Sequence, residues 1–231
     1  MIHKETYIPF YQHHIYMKTI GRGEPILFLH GGPGDEHRYF LPHVEPLAAH
    51  FKLVFYDQAG CGRSMSPQNH RHSIAEEVEL VRHIQTYLEV DKINILGQSW
   101  GSILALLYAT TYPTVVHKLC LASALGLTGK SIIDFSEELM KRLSEEDREK
   151  LQELETKQPV PFEDIQSLLD PYYVAHVENL SKKTSTSIRP HVNKDIMDEV
   201  IQTYDIRNKV PVLKEVPTMI LQGAKDMMSP D

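Results

Sequence analysis

Apolar positions along the chain follow two different periods. Tyr7, Ile8, Phe10, Ile15, Tyr16 and Ile20 stand among polar residues, which predicts two antiparallel strands over residues 5–20, with a turn at Gly21-Arg22-Gly23. Ile26-Leu27-Phe28-Leu29 is a continuous apolar run, as expected for a strand covered on both faces. Residues 36–49 read as a weakly amphipathic helix or helical loop, interrupted by Pro42 and Pro46. Another buried strand is predicted over 51–56. Ser73 with Glu76 then forms a capping box, and Ile74, Val78, Val81, Ile84 and Leu88 follow at helical spacing. Residues 93–109, INILGQSWGSILALLYA, predict a short buried strand, a very tight turn and an apolar helix that stops near Tyr112-Pro113. A further strand is expected over 115–121. Strands followed by β-α-β-α-β predict an α/β fold, with a mostly parallel central sheet and helices on both faces.

After Gly126 the pattern changes. Residues 130–208 contain no convincing strand. Ser144 with Asp147 starts a charged helix whose charges suit a solvated face. Pro161 opens another with Phe162, Ile165, Leu168 and Leu169. Asp170-Pro171 reads as an N-cap and first helical proline for a third, carrying Tyr172, Tyr173, His176, Val177 and Leu180. Asn193 caps a fourth, with Ile196, Val200 and Ile201. Strand character returns at Thr218-Met219-Ile220-Leu221, followed by Gln222-Gly223-Ala224-Lys225-Asp226. The expected organisation is a core in residues 1–125, a helical lid over 126–208, and a continuation of the core over 209–231. The alternative for the middle segment is a small helical domain with no role in a site.

Composition narrows the function classes. A net charge of −7 with no basic block argues against nucleic acid and acidic membrane surfaces as partners. No apolar run reaches the ~18 residues of a membrane span, and residues 1–14 lack the uninterrupted apolar stretch of a signal peptide. Cys61 and Cys120 sit in unrelated contexts, which suits a reduced, cytoplasmic protein. Thirteen histidines are present, but none shows zinc-site spacing. His13 and His14 point to opposite faces of a strand, and His70 and His72 flank Arg71 in a polar loop. No metal and no cofactor is expected.

Three glycine-containing segments carry the chemistry. Gly97-Gln98-Ser99-Trp100-Gly101 matches the G-x-S-x-G nucleophile elbow, and its strand-then-helix setting is the context that motif requires. A serine on so sharp a turn brings its neighbours two residues either side together, so only glycine fits at 97 and 101. The helix that follows directs free N–H groups and its positive dipole end toward charge forming at the serine. His30-Gly31-Gly32-Pro33-Gly34 follows the strand at 26–29, where glycines let backbone N–H groups approach a ligand. Asp57-Gln58-Ala59-Gly60-Cys61-Gly62-Arg63-Ser64 is a second such loop at a strand end. Asp226 lies beyond a glycine at the end of a later strand, from which a carboxylate can orient a histidine.

Together HGGPG at 30–34, DQAGCGRS at 57–64 and GQSWG at 97–101 resemble the α/β-hydrolase fold, and more narrowly the proline iminopeptidase family of serine aminopeptidases. The likeness covers residues 1–125 and, less closely, 209–231. The resemblance implies Ser99 as nucleophile, the Gly32 and Trp100 N–H groups as oxyanion hole, and Asp226 as triad acid. It also implies acidic residues around the lid that hold a substrate's N-terminal amine, for which Glu178 and Glu199 are candidates. Some members carry a glutamate directly after the triad acid; here that residue is Met227.

The reaction so implied is acyl transfer on a small peptide or small ester. An aminopeptidase preferring N-terminal proline is the leading expectation. An esterase or lactonase on the same scaffold is the alternative, and a non-catalytic protein of the same fold is a third. The chain order of such a triad is Ser, Asp, His, yet no histidine follows Asp226. His176 or His191 would have to reach down from the lid to serve. The expectation is therefore that these residues are a truncated form of a longer hydrolase, lacking the final strand and helix, and that this form is not competent for turnover.

Overall fold

The computed structural model describes residues 2–41 and 43–228. Strands β1 (His3–Phe10) and β2 (His13–Ile20) form an antiparallel hairpin in which Phe10 faces His13. Tyr11 takes up the tight turn with φ +49°. Next come β3 (Pro25–Leu29), β4 (Lys52–Tyr56), helix α1 (Ile74–Tyr87), β5 (Ile93–Gln98), α2 (Trp100–Thr111) and β6 (Val116–Ala122). Four helices follow, α3 (Lys130–Arg142), α4 (Glu145–Thr156), α5 (Phe162–Leu169) and α6 (Pro190–Thr203), before β7 (Thr218–Leu221).

One seven-stranded sheet runs in the order β1-β2-β4-β3-β5-β6-β7. The pairings β1–β2 and β2–β4 are antiparallel, and all later ones are parallel. The carboxyl ends of the parallel strands therefore lie along one edge, and HGGPG, DQAGCGRS and GQSWG all begin there. Ligand sites of open α/β sheets sit at this edge.

The apolar runs at 26–29 and 53–56 are buried from both sides for a reason visible in their packing. Phe28, Leu53 and Phe55 face a small cluster with Ile20, Phe40 and Ala48. Leu27, Leu29, Val54 and Tyr56 face the main core, shared with Val78, Val81 and Ile84 of α1 and Ile103, Leu104 and Tyr108 of α2. Phe28 and Phe55 stack across the parallel pair with ring centroids 4.6 Å apart, an arrangement that adds to simple burial.

Several local expectations need correction. Residues 36–49 take the helical-loop alternative and not the helix, as two 3₁₀ turns, His37–Phe40 and Glu45–Ala49, the second started by Pro46; Pro42 lies outside the described residues. The capping box at α1 is only half made. Ser73 Oγ accepts from the Glu76 N–H at 3.3 Å, but the Glu76 carboxylate turns away to His13 and His70. Asp170-Pro171 starts a single 3₁₀ turn, and Val177–Lys182 forms another, so no long helix joins them. Asn193 is inside α6, which begins after Arg189. Its side chain donates to Pro33 O at 2.9 Å instead. Helix α3 was not anticipated by the periodicity reading. Ser144 caps α4 as expected, accepting from the Asp147 N–H at 3.1 Å.

The helical segment returns to its point of departure. Gly129 N–H donates to Tyr204 O at 2.7 Å, and Tyr204 Oη donates to Gly126 O at 3.0 Å. From α6 it also reaches the glycine loop, where the Arg189 N–H donates to Gly34 O at 2.8 Å. Strand β7 pairs only with β6 among the described residues and lies at the sheet edge, with Met219, Ile220 and Leu221 exposed.

A Cβ placed on Gly101 would run into the Leu29 carbonyl, and one on Gly97 into the Gly101 carbonyl. Both obstacles are backbone. Gly101→Ala is therefore expected to destabilise the protein by about 3 kcal/mol, the cost of forcing atoms into a packed interior. Urea unfolding measures this; a change within about 0.5 kcal/mol would show that the crossing yields easily.

Candidate active site

Strand β5 ends at Gln98 and α2 begins at Trp100, which leaves Ser99 alone at the corner. Its backbone sits at φ +54°, ψ −121°, a conformation that costs an L-residue energy and persists only where the surroundings enforce it. Here β5 is held by β3 and β6 on its two sides. The Ser99 N–H donates to Ala122 O at 3.0 Å, and its carbonyl accepts from the Ser102 N–H at 2.8 Å and Ser102 Oγ at 2.6 Å. The side chain is partly exposed, and no described residue hydrogen-bonds its hydroxyl.

The HGGPG loop lies against this corner. A Cβ on Gly31 would come within 2.6 Å of Gln98 Oε1 and 3.2 Å of Ser99 Cβ. Tyr39 locks the approach: its hydroxyl accepts from the Gly31 N–H at 2.6 Å and donates to Gln98 Oε1 at 2.7 Å. Gly32 follows at φ +110°, which only glycine adopts without strain. The Gly32 and Trp100 N–H groups make no hydrogen bond among the described residues. For Trp100 the reason is its place in the first turn of α2, where a helix has no acceptor to offer.

Gln58, the residue after Asp57, clamps the two loops. Its Nε2 donates to His30 O at 2.8 Å, its backbone N–H donates to His30 Nε2 at 3.0 Å, and its Oε1 accepts from the buried Trp100 Nε1 at 2.9 Å. His30 Nε2 is thereby an acceptor, so its proton sits on Nδ1 and is donated to Gly31 O at 3.0 Å. Burial pushes the His30 imidazole's pKa down and keeps it neutral. Both nitrogens are engaged, so His30 shapes the loop and is not free to take a proton from Ser99.

These loops match a known pattern over most of the chain: residues 24–231 fit the family model described as the alpha/beta hydrolase fold. The chain belongs to this family. Among curated relatives it is similar to a proline iminopeptidase of Levilactobacillus brevis, 38% identical over 130 residues, covering 53% of this chain and 44% of that protein. It thus spans under half of the length of that relative. A proline iminopeptidase of Lactobacillus acidophilus matches at 27% identity over 98% of this chain and 83% of its own. Among solved structures, VinJ superposes with TM-score 0.75 at 22% identity, covering 98% of this chain and 84% of that one. Proline iminopeptidase from Mycobacterium smegmatis gives TM-score 0.69 at 20% identity, over 98% and 84%. An esterase from Exiguobacterium antarcticum gives 0.67 at 21%, over 98% and 84%.

In this α/β hydrolase the remaining sequence-predicted residues are scattered. Asp226 follows β7, and one carboxylate oxygen accepts from the Met228 N–H at 3.1 Å. No histidine bonds to it among the described residues. Arg142 of α3 donates to the carbonyls of Lys225 and Asp226 at 2.8 and 2.9 Å. Glu199 serves another purpose: its carboxylate accepts from the Ile74 N–H at 2.9 Å, satisfying the amino end of α1. Asp195 does the same for the His72 N–H at 3.1 Å. Glu178 is exposed beside His176 on the Val177–Lys182 turn, with Oε1 3.9 Å from His176 Nδ1. His191 packs against His72, ring centroids 5.7 Å apart. Neither His176 nor His191 hydrogen-bonds Ser99. Gln58 and Tyr39 were given no role by sequence reasoning. The one available signal was their place in or beside glycine loops at strand ends.

Two buried carboxylates support the second glycine loop and behave oppositely. Burial works to raise the Asp57 pKa, but the hydrogen bond from His37 Nδ1 at 2.7 Å, the nearby His37 and His30, and the Arg63 N–H at 2.8 Å bring it below its ordinary value. Among the described residues Glu77 has only the Ala59 N–H, at 3.1 Å, and its second oxygen has no partner. Burial pushes its pKa up to about 8. A raised carboxyl pKa means the folded state holds a proton that the unfolded chain releases. Stability from this source is complete below the unfolded pKa near 4.5 and is lost progressively as pH rises to about 8. Glu77→Gln should remove this loss and stabilise the protein at pH 9 by roughly 3–5 kcal/mol relative to wild type, with little change at pH 4. Denaturant melts across that range measure it; parallel pH profiles would show that Glu77 is ionised in the folded state.

Proposed function

We propose that this protein is a serine hydrolase acting by acyl transfer through Ser99, with an N-terminal proline peptide as the leading substrate class. The observation that carries the reading is the strained Ser99 at the corner against which the HGGPG loop lies, with the Gly32 and Trp100 N–H groups unpaired among the described residues. In this reading Ser99 Oγ attacks the substrate carbonyl and gives its proton to a base. The oxyanion is held by the two N–H groups, and the amine leaves with a proton. Water then attacks the acyl-serine and regenerates the hydroxyl. Asp226 is the proposed acid, and the helical segment 126–208 the proposed lid, supported by its bonds to the HGGPG loop at Gly34 and Pro33. The similarity to proline iminopeptidases supports the peptide substrate.

A second reading, a small-ester hydrolase, draws support from the acids proposed to hold a substrate amine. Glu199 is occupied at the end of α1, and Glu178 is exposed on a surface turn. An ester needs no such carboxylate.

Turnover requires an imidazole that none of the described histidines presents to Ser99. The chain as it stands is expected to act on the order of a millionfold more slowly than an enzyme with an intact triad, the scale of losing a triad histidine elsewhere. A prolyl arylamide and a short p-nitrophenyl ester, each tested with wild type and Ser99→Ala, separate the readings. Loss of all turnover above background in Ser99→Ala, with an unchanged melt, is the expected result. Equal rates above background in the two proteins would remove Ser99 from the chemistry. Ordinary enzyme rates would instead mean that a histidine of this chain serves, and His176→Ala and His191→Ala would identify it.

A further inference from the structure

Three side chains outside the Ser99 site come together from separate elements. They are His13 on β2, His70 in the loop between β4 and α1, and Glu76 in the first turn of α1. Their ligand atoms all lie within 4.8 Å of one another. The carboxylate is shared: Oε1 lies 3.1 Å from His13 Nε2 and Oε2 lies 2.7 Å from His70 Nε2. The imidazoles meet edge to face with centroids 4.6 Å apart. His13 is only 2% exposed. Ser66 Oγ lies 2.9 Å from its other nitrogen, Nδ1, and fixes the ring's orientation.

The geometry points to a binding site for a divalent transition-metal ion, zinc fitting best, held by His13 Nε2, His70 Nε2 and the Glu76 carboxylate. Donors around a tetrahedral zinc with bonds of about 2.0–2.1 Å stand roughly 3.3 Å apart; here the two nitrogen–oxygen pairs stand at 3.1 and 2.7 Å and all the ligand atoms lie within 4.8 Å of one another. Two imidazoles and one carboxylate suit zinc and its neighbours, whereas calcium and magnesium favour sets of oxygens. Proton balance is kept on ligation. Each imidazole proton moves from Nε2 to Nδ1, and on His13 it is then donated to Ser66 Oγ. A ligating histidine normally has such an outer partner.

The surroundings supply an independent observation. His72 packs edge-on to His70, with ring centroids 4.9 Å apart. It is 2% exposed, and neither of its ring nitrogens has a hydrogen-bond partner among the described residues. A buried imidazole with neither nitrogen partnered is costly. His70 also lines a neighbouring cleft of about 610 Å³, together with Ser66, Arg189 and His191. Spacing along the sequence conceals this site, because the ligands belong to three separate elements. Its consequence is a cross-link between the first hairpin, the loop that carries Gln58, and α1.

The test uses the untagged 231-residue chain, stripped with chelator and titrated with zinc chloride by calorimetry, with thermal melts alongside. One ion per chain is expected, with a melting temperature that rises with zinc and does not respond to magnesium. His70→Ala and Glu76→Gln should each weaken binding about 100-fold, and Ser66→Ala about tenfold. His117→Ala, at an exposed histidine paired with Glu24 on another part of the sheet, should leave it unchanged. Cobalt in place of zinc should give the visible absorption of a tetrahedral site in wild type, and lose it in Glu76→Gln. Circular dichroism checks the variants, and His70→Gln replaces His70→Ala if the latter fails to fold. Absence of saturable binding at roughly 100 µM zinc overturns the proposal. So does wild-type affinity in both His70→Ala and Glu76→Gln, or an equal loss in His117→Ala.

Discussion

The close crossing of α2 over the end of β3 is the constraint on which the rest depends. Gly101 must lie directly against the Leu29 carbonyl, and Gly97 against Gly101, for the chain to turn from β5 into α2 within one residue. That single residue is Ser99, and its φ of +54° is the geometric result. Strain of this kind is tolerated because everything beneath it is over-determined. Parallel strands hold β5 on both sides, and the Trp100 ring is buried and hydrogen-bonded to Gln58. Backbone that cannot relax keeps its unpaired N–H groups fixed in direction, which is what electrostatic stabilisation of a developing charge requires.

Buried polar groups around the site are settled in three ways. Asp57 accepts from two N–H groups and an imidazole, so its charge is compensated. His30 stays neutral, with one nitrogen donating and the other accepting. Glu77 lacks enough partners and holds a proton instead. All three sit under or beside the glycine loops, so rigidity of those loops is obtained partly at the expense of stability in alkali.

What the sequence revealed was what local rules govern. The elbow was legible because strand, tight turn and helix follow one another within seventeen residues, and because the glycines are required by contact at that spot. The continuous run at 26–29 announced a strand covered on both faces and residues 51–56 a buried strand, and β3 and β4 lie there with both faces packed. Misreadings came where a side chain finds a distant partner. Glu76 leaves the capping box for two histidines, one of them 63 residues away. Asn193 gives up a cap for Pro33 O, and Glu199 caps a helix 125 residues earlier. Gln58 had no period or motif role to betray it, since its three bonds run to His30 and Trp100. Asp170 was read as an N-cap, yet the cap position of its 3₁₀ turn is Leu169, and the turn ends at Tyr172.

Arg142 gives the helical segment a mechanical meaning. Its guanidinium holds the carbonyls of Lys225 and Asp226, so the loop after β7 is tethered to α3 as well as to the sheet. Met227 strengthens the tether by burying itself among Leu139, Leu143 and Leu151 of the helices. The carboxylate of Asp226 therefore rides on a layer different from the one that carries Ser99. Any displacement of the helices over the sheet changes the relative position of the two. For the proposed pairing of Asp226 with Ser99, lifting the helices would carry one residue away from the other, which ties the fit of a guest beneath the helices to the proposed chemistry.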